Sequence, residues 1–350
     1  MSVEPAPTIS VIIPVYNGAA YLKACLGAVI ASAYPSYECI VVNDGSTDDS
    51  ERIAGQFSAR VLNLSGGPFG PAYARNRGVE VARADILFFL DADIVLSPGA
   101  LRRVQNLFQE RTDVAAVFGS YDARPAARGL ISQYRNLLHH FVHQNGNREA
   151  STFWAGCGAI RRFVFEKIGG FDDQRFSRPS IEDIELGYRL REAGYRILLE
   201  KTLQGTHLKR WSLYALIRTD ITCRAVPWSR LILETKKLPD DLNLKWGQRA
   251  SFALVALACV FLVLAVVRPE WVALAAAALV GVAILNRELY AFFFRQHGVI
   301  FATTCVPLHL TYYLYSGLSY VYVWAEFQLR KVARRRSSRF EVLGSKFIKS

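Results

Sequence analysis

The stretch FFLDADIVLSP, residues 88–98, drives an apolar run into two carboxylates, Asp91 and Asp93, one residue apart. From Ile86 to Leu90 every side chain is large and apolar, the composition of a strand buried on both faces. Like charges this close repel, and each disfavours ionisation of the other. Something positive is therefore expected between them and solvent.

Upstream of that stretch the same grammar repeats. TISVII (8–13) reads as a buried strand that Pro14 ends, and Leu22, Leu26, Val29 and Ile30 then recur at helical spacing. ECIVVN (38–43) is a second buried strand, DGSTD a turn, 50–57 a short helix, 60–64 a third strand, GGPFGP a loop, and 72–81 a helix that leads into the strand ending at Asp91. Apolar strands alternating with helices predict a mostly parallel sheet flanked by helices. In such sheets ligands bind beyond the carboxyl ends of the strands. Asn17, Asp44, Asp91 and Asp93 each follow such an end, so four polar side chains are predicted on one rim. A dinucleotide fold is excluded at the first turn, where PVYNGAAYLKA has a single Gly18 in place of GxGxxG.

With 350 residues the chain has room for more than one unit, and its 51% apolar content is unevenly spread. Residues 251–267, 271–286 and 299–325 are uncharged stretches of 17, 16 and 27 residues. The third is long enough to cross a bilayer with tilt, while the first two are short and joined by Arg268-Pro269-Glu270. The predicted organisation is a catalytic domain over 1–210, interfacial amphipathic helices over 211–245, a transmembrane region of two to three helices over 246–328, and a basic tail over 329–350. MSVEPAPTIS lacks the pattern of a signal peptide, which predicts a multi-pass membrane protein with its first domain in the cytoplasm. Six scattered cysteines make neither a metal pair nor a disulfide framework.

The net charge of +12 belongs to the membrane reading and not to nucleic acid. Eight Lys or Arg stand between Arg330 and Ser350 against the single acid Glu341, directly after the last apolar segment. Such a cluster favours anionic headgroups and the cytoplasmic side. Three full crossings would put it on the opposite side from the first domain, so one segment is expected not to cross.

Taken in order, VIIPVYNGAAYL, VVNDGSTDDS, ARNRG (74–78), LDAD (90–93) and IEDIELGYRLREAGY (181–195) resemble the family-2 glycosyltransferases, inverting enzymes of the GT-A nucleotide-sugar-binding fold. The resemblance runs from about Ile9 to Trp211. It implies that Asp44 contacts the nucleotide base, that Pro14 and Tyr16 wall the nucleotide, and that Arg75 approaches the diphosphate or sugar. It makes Asp93 the direct ligand of Mg²⁺ or Mn²⁺ and gives Asp91 the ribose or a metal-bound water; hard oxygen donors suit such ions. Asn43 stands where the family often has a second acid.

In the same family Asp183 is the general base, with Glu182 second. Ser180-Ile181-Glu182-Asp183 also fits a near capping box, in which Asp183 satisfies the first turn of a helix. The segment TFWAGCGAIRR (152–162) resembles the lining of the sugar and acceptor pocket: Gly156 and Gly158 would let backbone approach a sugar, and Trp154 either stacks on it or packs in the core. THLKRW (206–211) resembles in part the QxxRW signature of processive synthases, with His207 in place of Gln and with Arg210 and Trp211 retained. The segment 211–237 carries Trp211, Trp228 and five cations, and reads either as a helix in the headgroup plane or as an ordinary domain helix.

The implied activity is membrane-anchored, metal-dependent, inverting transfer of one sugar from a UDP- or GDP-type nucleoside diphosphate sugar to a hydroxyl acceptor, lipid-linked or a glycan. Two rivals stand beside it. A polyprenyl-phosphate sugar synthase has an anionic acceptor that needs no base, and a non-catalytic nucleotide-sugar-binding scaffold has no use for four carboxylates at one rim.

Overall fold

The computed structural model describes residues 6–347, with side chains through Lys331. Arg334, Arg335, Arg336, Arg339, Lys346 and Lys349 of the basic tail lie outside the described side chains. The chain divides into two compact units. The first runs through Leu216 and takes back Pro239–Lys245 and Glu288–Ala302; the second holds Ile217–Leu238, Trp246–Arg287 and the residues from Thr303 on.

Eight strands form the first unit's sheet: β1 (Ile9–Val15), β2 (Tyr37–Asn43), β3 (Arg60–Asn63), β4 (Ile86–Leu90), β5 (Ile94–Leu96), β6 (Val114–Tyr121), β7 (Cys157–Arg161) and β8 (Arg196–His207). Their spatial order is β3-β2-β1-β4-β7-β6-β8-β5. β3, β2, β1 and β4 are parallel, as their apolar runs predict, whereas β7 is antiparallel to both β4 and β6, and β5 is antiparallel to β8. The sheet is therefore mixed. The reversal falls at CGAIR, which the sequence reading treats as pocket lining and which pairs Phe88 with Ala159 and Leu90 with Cys157.

Pro14 does not end the first strand. β1 continues through Val15, with Pro14 opposite Val42. Its ladder to β4 stops at Ile12↔Phe89, so Pro14 lies where one flank of the strand has no partner that needs its missing N–H. The helix Pro71–Val81 lies close on this half of the sheet because residue 78 is glycine: a Cβ there would come within 2.5 Å of Ile12 Cγ2 and 3.0 Å of Val42 Cγ2. That close seat brings Arg75, on the same helix, down to the strand ends.

In the second unit, helix Trp246–Leu264 is long and apolar enough to cross a bilayer. Trp271–Leu285 is shorter and bends by 68° into Arg287–Lys331, so the described residues contain one such span, or two if the bent pair is a single span. The long helix Arg287–Phe347 is broken at Gly298, which has φ 78° and ψ −176°. The amphipathic segment forms helices Leu213–Asp220 and Val226–Thr235, joined by a π-helical turn over Ile221–Ala225.

Candidate active site

Asp44 follows β2 and is buried. Its carboxylate accepts from the backbone N–H of Phe69 (2.9 and 3.0 Å) and Gly70 (2.8 Å), the residues just before helix Pro71–Val81. Instead of standing open toward a base, it first ties β2 to the start of the helix that carries Arg75. A carboxylate has about four acceptor sites, so capacity for a further donor remains. Asn17, beyond β1, binds the DGST loop from the other side: its N–H donates to Ser46 Oγ (3.0 Å) and its Oδ1 accepts from Thr47 N (2.8 Å). Tyr16 beside it is 49% exposed, so it presents a ring to solvent and is not core packing.

The positive partner required by Asp91 is Arg75. Its buried guanidinium donates through Nη2 to Asp91 Oδ1 (2.7 Å) and through Nη1 to Glu182 Oε1 (2.8 Å), and it lies over the Phe171 ring at 5.5 Å. Both terminal nitrogens are thus committed to protein carboxylates, whereas the sequence reading aims this side chain at substrate. Burial, together with the charge of Asp93, keeps the Asp91 carboxyl above the ordinary carboxylate range despite Arg75.

Asp93 faces a different partner. His207 Nε2 lies 3.3 Å from Asp93 Oδ2, and His207 Nδ1 donates to Asn136 Oδ1 at 2.7 Å. Tyr121 stacks on the imidazole at 4.4 Å with planes 14° apart. β5 pairs with β8 at Ile94↔His207, which is how a residue 114 positions downstream arrives beside Asp93. Burial pushes the Asp93 carboxyl up, but the hydrogen bond and charge of His207, with the charge of Lys209, outweigh it and hold the carboxyl below its ordinary range.

Glu182 and Asp183 open the helix Glu182–Glu192. The capping-box expectation fails, because Ile181 and not Ser180 is the N-cap and no side chain caps the helix. Glu182 Oε2 instead accepts from Ser180 N at 3.1 Å while Oε1 takes Arg75. Asp183 accepts from Ala155 N (Oδ2, 3.0 Å) and Ile184 N (Oδ1, 2.8 Å). Burial and the neighbouring Glu182 charge push its carboxyl up to about 7, against the opposing pull of Arg75 and the two backbone N–H groups.

Gly187, one turn further, is a site residue that sequence reasoning misses. A Cβ there would lie 2.3 Å from Phe153 N and 2.6 Å from Thr152 C, so only glycine lets this helix approach the 152–155 segment closely enough for Asp183 to reach Ala155.

Trp154 sits beside that contact, partly buried, edge-on to Tyr121 (5.0 Å) and tilted against His139 (4.8 Å). The small residues expected to admit a sugar have another use. A Cβ at Gly156 would meet the Trp154 indole at 2.6 Å, and one at Gly158 would meet Trp154 O at 2.4 Å and the Phe153 ring at 2.8 Å. Trp211 is nearly buried, donates from its backbone to Ser132 Oγ (2.8 Å) and carries Lys209 Nζ 4.5 Å from its ring centre, while Arg210 is exposed. Asn136 and Tyr121 join the site from positions that no motif in the sequence marks, and Lys209 from a variable position of THLKRW.

Among the described residues no group of three or more His, Cys, Asp or Glu side chains forms a cage for a metal ion. Asp93 and His207 offer two donors, and the Nδ1 bond to Asn136 turns Nε2 toward Asp93. That set is too small for an all-protein site. It fits a Mg²⁺ or Mn²⁺ ion that completes its shell with water and diphosphate oxygens.

Residues 10–169 match the family model described as glycosyl transferase family 2. Glycosyltransferase AglE of Haloferax volcanii is 30% identical over 210 residues, which are 58% of this chain and 68% of AglE. The uncharacterized glycosyltransferase RP339 of Rickettsia prowazekii is 29% identical over 185 residues, and the probable glycosyltransferase YdaM of Bacillus subtilis 28% over 211. The chain spans about half the length of these last two, 54% and 49%. Among solved structures, the mannosyltransferase PcManGT from Pyrobaculum calidifontis, in complex with GDP-Man and Mn²⁺, superposes with a TM-score of 0.57 over 90% of this chain and 87% of its own. At 19% identity that likeness is one of fold.

Proposed function

The chain belongs to glycosyltransferase family 2, and from that premise we propose that it transfers one sugar, with inversion, from a nucleoside diphosphate sugar to a hydroxyl acceptor. The observation that carries this reading is Asp183, a carboxylate pushed up to about 7 and held by Ala155 N beside Trp154. A base poised near neutrality is what proton removal from a hydroxyl needs. A phosphate acceptor would need none.

In this reading the acceptor oxygen gives its proton to Asp183 as it bonds to the anomeric carbon, and the bond from that carbon to the diphosphate breaks on the opposite face. The electron pair leaves with the diphosphate. A divalent ion held by Asp93 and His207, when bound, would neutralise that charge. Lys209 adds a fixed positive charge near Asp93. Arg75 keeps Asp91 and Glu182 oriented, and Asp44, Asn17, Pro14 and Tyr16 form the nucleotide side. Glu182 is fully engaged by Arg75 and Ser180, which suits it to holding Arg75 and not to moving a proton. Trp154 and Trp211 flank the acceptor side. The fold shared with a mannosyltransferase that binds GDP-Man and Mn²⁺ supports a nucleotide-sugar donor with a metal.

Membrane anchoring belongs to the same proposal, with the first unit on the cytoplasmic side and a lipid-linked or glycan acceptor. It rests on apolar side chains that face outward along the helices after Lys245, such as Val260 (52% exposed), Val263 (70%) and Ile284 (57%). Soluble monomers rarely leave such a surface open.

Calorimetric titration with UDP and then GDP, with and without Mn²⁺, tests the site in wild type and in Asp93→Ala. Metal-dependent binding of one nucleotide, lost in the variant, is the expected result. Equal binding without metal would return Asp91 and Asp93 to a structural role and favour the scaffold.

A further inference from the structure

The apolar stretch 299–325 has the length of a third crossing, yet its contacts hold it elsewhere. Resting on the membrane anchoring proposed above, we propose that the helix beyond Gly298 lies along the membrane surface at the foot of a two-crossing hairpin, so that Arg330 and Lys331 stand on the catalytic side.

The first observation concerns where the hairpin begins and ends. Lys245 Nζ donates to Asn145 O at 2.6 Å, so the residue before helix Trp246–Leu264 is fastened to the first unit. The residues after helix Trp271–Leu285 return to that unit: His297 Nε2 lies 2.9 Å from Gln133 Oε1, and Phe292 stacks on His140 at 5.7 Å. A chain that leaves and re-enters one globular body crosses the bilayer an even number of times. At 1.5 Å per residue the two helices rise about 28 and about 22 Å, against a hydrocarbon core of about 30 Å. The turn between them carries Arg268 and Glu270.

A second observation fixes the depth of Tyr313. Gln248 and Ser251 lie in the first two turns of the hairpin, and Asn286 directly follows its second helix. Asn286 Nδ2 donates to Ser251 Oγ (2.9 Å), and Tyr313 Oη reaches both Asn286 Oδ1 (2.8 Å) and Gln248 Oε1 (2.9 Å). These polar groups mark the hairpin's foot, and Tyr313 is at that level.

The third observation is independent of the hairpin. Segment 217–238 begins and ends at residues of the first unit and carries Arg218, Arg224, Arg230, Lys236 and Lys237, too many cations to enter hydrocarbon. From it, buried Asp220 accepts from Tyr315 Oη at 2.7 Å, and Arg230 pairs with Glu326 at 3.1 Å. Ten residues separate Asp220 from Arg230 and eleven separate Tyr315 from Glu326, so the two segments run side by side for about 15 Å. A helix held at the foot by Tyr313, Tyr315 and Glu326 cannot also reach the far leaflet.

Leu318, Val321 and Tyr322 on this helix are exposed and suit the boundary between headgroups and acyl chains. Arg330 and Lys331, the last described side chains of this helix, then face anionic headgroups on the catalytic side, where a basic cluster is favoured.

The test uses the full chain in sealed vesicles whose outer face carries the catalytic domain, in a Cys223→Ser/Cys259→Ser background. Single Arg268→Cys and Lys331→Cys variants are exposed to a membrane-impermeant maleimide. We expect Lys331→Cys to be modified in intact vesicles and Arg268→Cys only after detergent opens them. Protection of Lys331→Cys would mean a third crossing, and labelling of Arg268→Cys in intact vesicles would mean that the hairpin does not cross; either result overturns the topology while leaving the anchor. Release of the protein by alkaline carbonate would overturn the anchor itself.

Discussion

Glu182 and Asp183 are adjacent carboxylates held in opposite senses: Glu182 is clasped by Arg75 at 2.8 Å, whereas Asp183 takes the Ala155 N–H at 3.0 Å. The charge fixed on the first is one of the causes that raise the second. The negative charge beside it is thus part of what raises Asp183, the proposed base.

Asp183→Asn tests that role. Transfer to a hydroxyl acceptor is expected to fall by about 10²- to 10⁴-fold with nucleotide affinity unchanged. Retention of rate in a direct transfer assay would favour the phosphate-acceptor reading.

The pH dependence follows from the same group. Unfolded Asp183 loses its proton near 3.8 and folded Asp183 near 7, so between these values the folded state binds more protons. Its stabilising contribution is full below pH 3.8 and is lost as pH rises through 7, by linkage. Activity moves the other way: kcat/KM is expected to rise with pH and level off above about 7. Comparing the melting profile of wild type with that of Asp183→Asn from pH 4 to 8 should show a steeper loss of stability with rising pH in wild type, since the raised Asp91 remains in both.

Arg75→Leu leaves buried Glu182, and partly exposed Asp91, without their partner. A loss of about 3–5 kcal/mol is expected for removing one member of such a group. Arg75→Lys should recover only part of it, since one ammonium cannot reproduce the two-armed geometry. Thermal melts of the three proteins in one detergent would rank them.

Gly187→Ala sets a methyl against Phe153 N and should cost about 1–3 kcal/mol. Its sharper signature is kinetic: kcat should fall more than nucleotide affinity, because the clash with Thr152 and Phe153 pushes apart the helix that carries Asp183 and the segment that carries Ala155. Equal losses in both would show a general defect.

Asn136→Ala removes the acceptor that orients His207. Manganese affinity, read by electron paramagnetic resonance of free Mn²⁺ in the presence of the nucleotide that binds, is expected to fall about 10- to 100-fold. Asn136→Asp keeps an acceptor and should retain most of it.

What could be read in the sequence follows from what is local. Asp91, Asp93, Asp44 and Asn17 are legible because each ends an apolar run, and strand ends in a parallel sheet share a rim. Glu182 and Asp183 stand out by motif. Arg75 was legible as a site residue but not its partner, since Glu182 lies 107 residues away. Asn136 reads as one polar position in a helix, and only the pairing of β5 with β8 brings His207 between it and Asp93. The glycines of 152–162 mislead for a related reason: small residues signal close approach but not of what, and here the visitor is the chain's own Trp154 and Phe153. Likewise, 299–325 has the composition of a span, but its partners lie in a segment 95 and 96 residues earlier, and only they carry the proposal for its depth.

Arg75 also ties its cluster to the order of synthesis. Its two carboxylates lie 16 residues ahead of it in Asp91 and 107 residues ahead in Glu182. Closing a loop of the second length gains nothing until the intervening strands have paired. A growing chain that has not yet delivered Glu182 would bury an arginine with one partner, and the Asp183 next to it would not yet exist to titrate near neutrality. The Arg75 clasp therefore closes only once residue 182 has been made, and a product truncated before it would lack both the clasp and the proposed base.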